Sequence, residues 1–257
     1  MELGLKDKVV AITGGTSGIG EELALAFARE GCKVAVCGRN EAKISNMKER
    51  FDEYGLELFA FQADISDLQQ LRGFIEHTTA HYDKLDILIN NAGTTVRKPF
   101  VDYTEEEWYR VVDTNMKAMY FGCVYGAAQM KKNGGGVIIN TSSFTSVIPT
   151  CGSALYSGTK AAVDKMTAVF AAELAADKIR VVSVQPGMTV TPLTEEKCRN
   201  QYDELVSQIA MKRLATPDDM VGAYLFLASD RAEYINGVSL PVAGAKLTVQ
   251  NPHYSYM

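Results

Sequence analysis

Histidine, cysteine and runs of basic residues are scarce in this chain. Its 257 residues include only three histidines and five cysteines. His77 and His81 stand one helical turn apart, but no third His, Cys or carboxylate follows at a metal-site spacing. They read as a solvated helix face, and no metal is expected. Cys32, Cys37, Cys123, Cys151 and Cys198 are scattered, odd in number and free of any CxxC pair. That pattern argues for reduced thiols, most of them packing residues. Lys and Arg form no block or stripe and the formal net charge is -5, so nucleic acid is not an expected partner. The apolar runs are too short and too broken to span a bilayer, so no membrane is expected either. The opening MELGLKDKVVAITGG has neither the long apolar stretch nor the small-residue cleavage site of a signal peptide. A cytoplasmic setting is expected.

What is present is a regular alternation. Hydrophobic residues make up 47% and charged residues 22%, the balance of a soluble globular chain long enough to bury a sizeable core. Short β-rich runs read as strands: KVVAIT, KVAVC, LELFAF, LDILIN, GVIINT, IRVVSVQ and GVSLPV, starting at residues 8, 33, 56, 85, 136, 179 and 237. Their near-continuous apolar character suits strands covered on both faces. Longer segments with helical periodicity lie between them, among them residues 19–31, 65–82, 105–132 and 155–176. Strand–helix alternation over the whole length predicts an α/β fold: a doubly wound parallel sheet with helices on both faces. No linker or repeat divides the chain, so residues 1–257 read as one domain. Gly31 and Gly55 are placed to end helices, and the triple glycine 134–136 reads as a turn because a strand follows it.

The first strand runs into TGGTSGIG, residues 13–20, which opens a helix. Glycines at 14, 18 and 20 let the backbone turn sharply and approach a pyrophosphate, while the helix start offers free N–H groups and the positive end of its dipole. The second strand ends in VCGRN. Gly38 stands where an acid would bind the ribose 2′-hydroxyl of NAD, and Arg39 follows. A guanidinium holds a phosphate bidentately, so NADP(H) is favoured over NAD(H). Ser17 leaves the glycine loop itself without a basic residue.

With that loop, NNAG at 90–93 and YSGTK at 156–160, the chain resembles the single-domain short-chain dehydrogenases/reductases along nearly its whole length. The motif series continues with Asp64 in ADIS, Asn115 in DTNMKAMY, Ser142–Ser143, PGMTVT at 186–191 and RLATPDDMVGAYLFLASD at 213–230. The resemblance implies a Rossmann-type sheet of about seven strands and a nicotinamide cofactor. In the loop, Gly14, Thr16, Ser17, Gly18, Ile19 and Gly20 would hold the cofactor. Asp64 and Ile65 would meet the adenine. Asn91, Ala92 and Gly93, with Asn90, would form the turn beside the ribose. Pro186, Gly187, Thr189 and Thr191 would hold the carboxamide. Tyr156 and Lys160 would contact the nicotinamide ribose. Family members usually form tetramers or dimers through two long helices, matched here by 105–132 and 155–176.

By the same resemblance Tyr156 is the acid/base, Lys160 one turn on lowers its pKa, and Asn115 holds a water that links Lys160 to solvent. Ser143 is preferred to Ser142, by spacing, as the donor to the substrate oxygen. The reaction would exchange a hydride between a secondary alcohol or ketone and the nicotinamide, in the reductive direction if NADP(H) is the cofactor. Thr145, Val147, Pro149, Thr150, Cys151 and Met188 are the expected substrate wall, and residues 191–212 a helical flap over it. The tail 243–257, together with INTSSFTS, is similar to bacterial bile-acid hydroxysteroid dehydrogenases, although such a tail also suits packing on a neighbouring subunit. VRKPF, with Arg97 and Lys98, is similar to sugar-acid 5-dehydrogenases, and a cation there suits a carboxylate or a solvated loop. A 3-oxoacyl-thioester reductase fits the same motifs. A non-catalytic NADP-binding sensor or scaffold would differ by keeping its function in Tyr156→Phe. Epimerases and dehydratases of this fold usually need a larger substrate region.

Overall fold

The five residues of β1 (Val9–Thr13) are all buried, and their side chains divide by parity. Val10 and Ile12 join one hydrophobic core, Val9 and Ala11 another. A strand with both faces covered has this pattern, and the whole molecule repeats it. The structure is a computed structural model that describes residues 2–248. After β1 come β2 (Lys33–Gly38), β3 (Leu58–Gln62), β4 (Ile87–Asn90), β5 (Gly136–Thr141), β6 (Ile179–Pro186) and β7 (Ser239–Val242). They form one parallel sheet in the order β3-β2-β1-β4-β5-β6-β7. All seven strand segments read from the sequence are present, and the fold is a single Rossmann-like α/β domain.

The helices that cover the sheet turn their apolar sides to it. α1 (Gly18–Arg29), α2 (Glu41–Glu53) and α9 (Asp218–Ala228) bury Phe27, Phe51 and Tyr224 on one face. On the other, α3 (Leu68–Tyr82), α5 (Ala118–Met130) and α6 (Ala154–Glu173) bury Phe74, Met130 and Val163. α4 (Glu105–Val112) starts with a capping box in which Thr104 and Glu107 bond each other's backbone N–H. Two short helices, α7 (Glu195–Asn200) and α8 (Tyr202–Ser207), occupy the segment expected to be a flap, and bury Cys198 and Leu205 against Phe144 and Met188. Of the expected tail, residues 249–257 lie outside the described residues.

The 105–132 segment is continuously helical as expected, but not α-helical throughout: a π turn, Asp113–Lys117, lies between α4 and α5. Hydrophobic periodicity continues through such a turn, so the pattern does not reveal it. Cys32, Cys37 and Cys123 are buried, and burial pushes each thiol up to about 12, as packing residues should be. His77 and His81 pack their rings on Phe61 and Phe59, with centroids 5.1 and 4.5 Å apart. Among the described residues no cluster of His, Cys, Asp or Glu could hold a metal, and no helix is long and apolar enough to cross a membrane.

Candidate active site

The strand order reverses between β1 and β4, and a cleft of about 340 Å³ opens at their carboxyl ends. Asn91 closes its floor. Its side chain donates to the Thr13 and Gly14 carbonyls at 3.2 and 3.3 Å, while the Asn91 and Ala92 N–H groups both donate to Thr13 Oγ1. The glycine loop forms one wall through Gly14, Thr16, Ser17, Gly18 and Ile19. Gly14 has φ +65, and a Cβ there would sit 2.9 Å from the Ala92 backbone, so only glycine lets the loop lie this close to β4. Ser17 caps α1 without a side-chain bond, leaving the helix N–H groups directed at the cleft. Gly20 does not face the cleft. It is buried, and a Cβ would strike the Gly14 carbonyl at 2.3 Å, so its smallness lets the helix pack on the loop.

Past the loop, Arg39, Asp64 and Ile65 line the same cleft. Asp64 accepts from the Ser66 hydroxyl at 2.7 Å and lies 3.7 Å from Arg39. Burial alone would raise its carboxyl, but Ser66 and Arg39 hold it below the usual range. A Cβ at Gly38 would lie 2.5 Å from Thr16 Oγ1, so the space an acidic side chain would need is taken by Thr16. Lys43, in the first turn of α2, also lines this end and was not anticipated from the sequence. Four residues after Arg39, it is placed by the helix that Asn40 caps through a 3.0 Å bond. The free helix start and the glycine cradle suit the pyrophosphate of a nicotinamide dinucleotide, and Arg39 and Lys43 stand at the far end of the cleft.

At the other end α6 begins with Tyr156 and Lys160. Lys160 Nζ is buried and donates to the Thr141 carbonyl at 2.7 Å. Burial pushes its ammonium down to about 8, against the field of Asp164. Ser142 donates to the Lys160 carbonyl at 3.1 Å, which ties it to the α6 backbone. Ser143 is the serine that faces Tyr156, and its Oγ accepts from the Thr145 N–H and hydroxyl at 3.2 and 3.0 Å. The π turn presents Asn115, whose amide pairs with both backbone groups of Thr94 at 2.8 and 2.9 Å. Asn115 lies behind the main cleft and, with Thr141 and Lys160, lines a small cavity of about 10 Å³. A Cβ on Gly93 would be 3.5 Å from Asn115 Oδ1 and 3.6 Å from Lys160 Nζ, so this position borders both groups.

The expected lowering of the Tyr156 pKa is not what the chain alone produces. Burial pushes the phenol above its ordinary value, with Ser143 and Arg97 pulling it partly back. The Lys160 ammonium is engaged by Thr141 and lies 5.8 Å from the Tyr156 ring centroid.

Pro186, Gly187, Thr189 and Thr191 line the cleft as expected, and so do Thr145 and Met188. Cys151 does not. With Val147 and Pro149 it lies exposed outside the cleft, because the turn Phe144–Ser146 leads the chain away. Gly152 then anchors that loop by accepting from Lys98 N–H and Tyr103 Oη. Thr150 is also outside. Phe144 also lines the wall and was not anticipated; Leu193 comes from the expected flap, and Arg97 from the loop where a cation was expected to suit a carboxylate. Arg97 and Lys98 part company: Lys98 pairs with Glu107, whereas Arg97 faces the cleft.

The family model described as short chain dehydrogenase matches residues 8–202. A 3α-hydroxysteroid dehydrogenase of Mediterraneibacter gnavus is 36% identical over 244 residues, 94% of this chain and 97% of its own. A 3-oxoacyl-(acyl-carrier-protein) reductase of Staphylococcus aureus is also 36% identical, over 240 residues, 92% of this chain and 97% of its own. Among solved structures, a protein assigned as an NAD(P)-dependent gluconate 5-dehydrogenase from Beutenbergia cavernae, with NADP bound at low occupancy, superposes with a TM-score of 0.92. It is 31% identical, with 97% of this chain and all of that one covered.

Proposed function

The chain belongs to the short-chain dehydrogenase family and is an oxidoreductase, and from this premise we propose that it interconverts a secondary alcohol and a ketone with NADP(H). The observation that carries the reading is the meeting of Ser143, Tyr156 and Lys160 at one end of a cleft whose other end holds Arg39 and Lys43. The cofactor, when bound, supplies or accepts the hydride at the substrate carbon. Tyr156 gives its phenolic proton to the substrate oxygen in reduction and takes it back in oxidation. Ser143, oriented by Thr145, donates a hydrogen bond to the same oxygen. Lys160 steadies the phenolate with its charge and replaces the proton. The cavity bordered by Asn115 and Lys160 is about the size of one water, which suits relay of that proton towards solvent.

A hydroxysteroid-like substrate is supported by the 36% identity to the 3α-hydroxysteroid enzyme and by the apolar side chains of Phe144, Met188 and Leu193 in the wall. A sugar-acid 5-dehydrogenase is the second reading, favoured by Arg97 in that wall and by the likeness to the gluconate-type structure. Residues 191–212 act as a flap, since Thr191 to Thr194 face the cleft. A cytoplasmic setting, where the NADP pool is kept reduced, fits reduction. The exposed apolar face of α4, α5 and α6 joins copies into a dimer or tetramer.

The test follows NADPH oxidation with oxo-bile acids, oxo-steroids, 5-ketogluconate and an acetoacetyl thioester, with NADH in parallel. Turnover of one class is expected, falling about 10²–10⁴-fold in Tyr156→Phe while NADPH binding persists. Arg39→Gln should weaken NADPH and spare NADH. Full activity in Tyr156→Phe would overturn the acid/base assignment, and a preference for NADH in the parent chain would overturn the cofactor reading.

A further inference from the structure

The substrate end of the cleft is more basic than an acidic chain requires. Arg97 stands in the cleft wall on the loop after β4, exposed and without a hydrogen bond or ion pair among the described residues. Its neighbour Lys98 is already matched by Glu107. α7 directly follows the cleft-lining segment 191–194 and carries Lys197 beside Cys198, which packs against the wall residues Phe144 and Met188. Lys197 is half-buried and has no hydrogen bond or ion pair among the described residues either. A third cation, Lys246, is 8% exposed, donates to Gln208 Oε1 at 2.6 Å and lies 5.1 Å from the ring centroid of the wall residue Phe144.

These charges feel one another. Burial, then Arg97, depresses the Lys197 ammonium, and burial, then Lys197, depresses that of Lys246. Glu204 on α8 is the acid that offsets Lys197, while Glu195 and Glu196 of α7 are exposed. Arg97 has no ion pair and Glu204 makes none with Lys197 among the described residues, so a ligand anion placed between the two cations relieves their mutual repulsion. Arg97, like Tyr156 and Ser143, lines the cleft, and its charge pulls the Tyr156 phenol down against burial.

We propose that Arg97 and Lys197 form a two-sided clamp for a carboxylate on the substrate, one cation from the loop after β4 and the other from the flap. The inference rests on the ketone–alcohol reading and deepens it: the natural substrate is an oxo- or hydroxy-acid. The guanidinium receives the carboxylate bidentately and fixes the register of the reacting carbon against Tyr156 and Ser143. The ammonium meets it from α7 and draws the flap inward.

The experiment compares acids with uncharged counterparts in the presence of NADPH: 5-ketogluconate against a neutral ketohexose, and a 3-oxo bile acid against its methyl ester. The acid should be preferred in one pair, which also tells a sugar acid from a steroid acid. Arg97→Gln and Lys197→Gln should each cut that preference at least tenfold, and the double variant should lose less than the product of the two. Arg199→Gln, on the same helix, should keep it. Equal losses for acid and neutral ketone, or no loss, overturn the clamp. Should no ketone turn over, the reaction reading fails and the clamp is judged by calorimetric titration of gluconate and cholate into the NADP⁺-loaded protein. Binding that is lost in Arg97→Gln upholds the clamp. Binding no tighter than that of the neutral counterpart overturns it.

Discussion

Lys160 is 3% exposed, yet its nitrogen has one protein acceptor, the Thr141 carbonyl. A cation so placed lowers the stability of the fold in return for a charge beside Tyr156. Its ammonium is pushed down to about 8 in the folded chain, against about 10.4 when unfolded. Below pH 8 both states carry the proton and the folded state bears the full cost, about 3 kcal/mol. Between those values the unfolded chain holds the proton and the folded chain has released it, so stability rises with pH. Lys160→Met removes the titration. In urea unfolding, the parent chain should therefore gain up to about 3 kcal/mol on the variant between pH 7 and pH 10.5. A constant gap would mean that Lys160 is not desolvated. Tyr156, Ser143 and Lys160 were read from the family resemblance that YSGTK and the Ser142–Ser143 pair carry, and the start of α6 and the end of β5 bring them to one cleft. Cys151 was misplaced and Lys43 missed because the path of a loop, and the helix that reaches back to the cofactor end, leave no periodicity to read.

Elements were read well where one side must be buried and less well where backbone hydrogen bonding changes. The seven strands declared themselves through apolar runs. The π turn at Asp113–Lys117 did not, although it is what directs Asn115 at Thr94 instead of at the sheet. Helix-to-sheet distance is also set by residues that pattern does not weigh. Gly122 of α5 rests on β4, where a Cβ would come within 2.4 Å of Asn90 Oδ1. Asn90 in turn donates to Asn140 Oδ1 at 2.9 Å, a buried bond across the two central strands. Gly122→Ala must either push α5 outward or break that bond, at about 1–3 kcal/mol. Gly222 of α9 has nothing within 4 Å of its Cβ position, so Gly222→Ala should gain about 0.5–1 kcal/mol from helix propensity. At about 2–4 °C per kcal/mol, Gly122→Ala should lower Tm by several degrees and Gly222→Ala raise it by a few. A Gly122→Ala chain as stable as its parent would mean that α5 is free to move on the sheet.

At the scale of the whole molecule, the surface over α4, α5 and α6 is less polar than a lone subunit needs. Trp108 and Tyr109 on α4, Tyr120 and Val124 on α5 and Val169 on α6 are each 40–59% exposed. α4 packs beside α6, and Tyr120 of α5 meets Phe170 of α6 edge-on with ring centroids 5.2 Å apart, so these side chains share one side of the molecule. Apolar surface of this extent commonly marks an interface, and equivalent faces on two copies close on one another about a two-fold axis. The proposed assembly is legible in the sequence only in outline, because breadth of apolar character marks a helix as covered on two sides without saying by what. Trp108 is the chain's one tryptophan, so its emission reports on this face alone. The parent chain should run at about two or four times its 28.1 kDa mass, with blue-shifted emission that moves to the red on dilution. Val169→Glu sets a charge in the middle of the contact, and should give a folded monomer with red emission from the outset. A parent chain that is monomeric at all concentrations, with solvent-like Trp108 emission unaltered by Val169→Glu, would leave that face to some other occupant and remove self-association from the account.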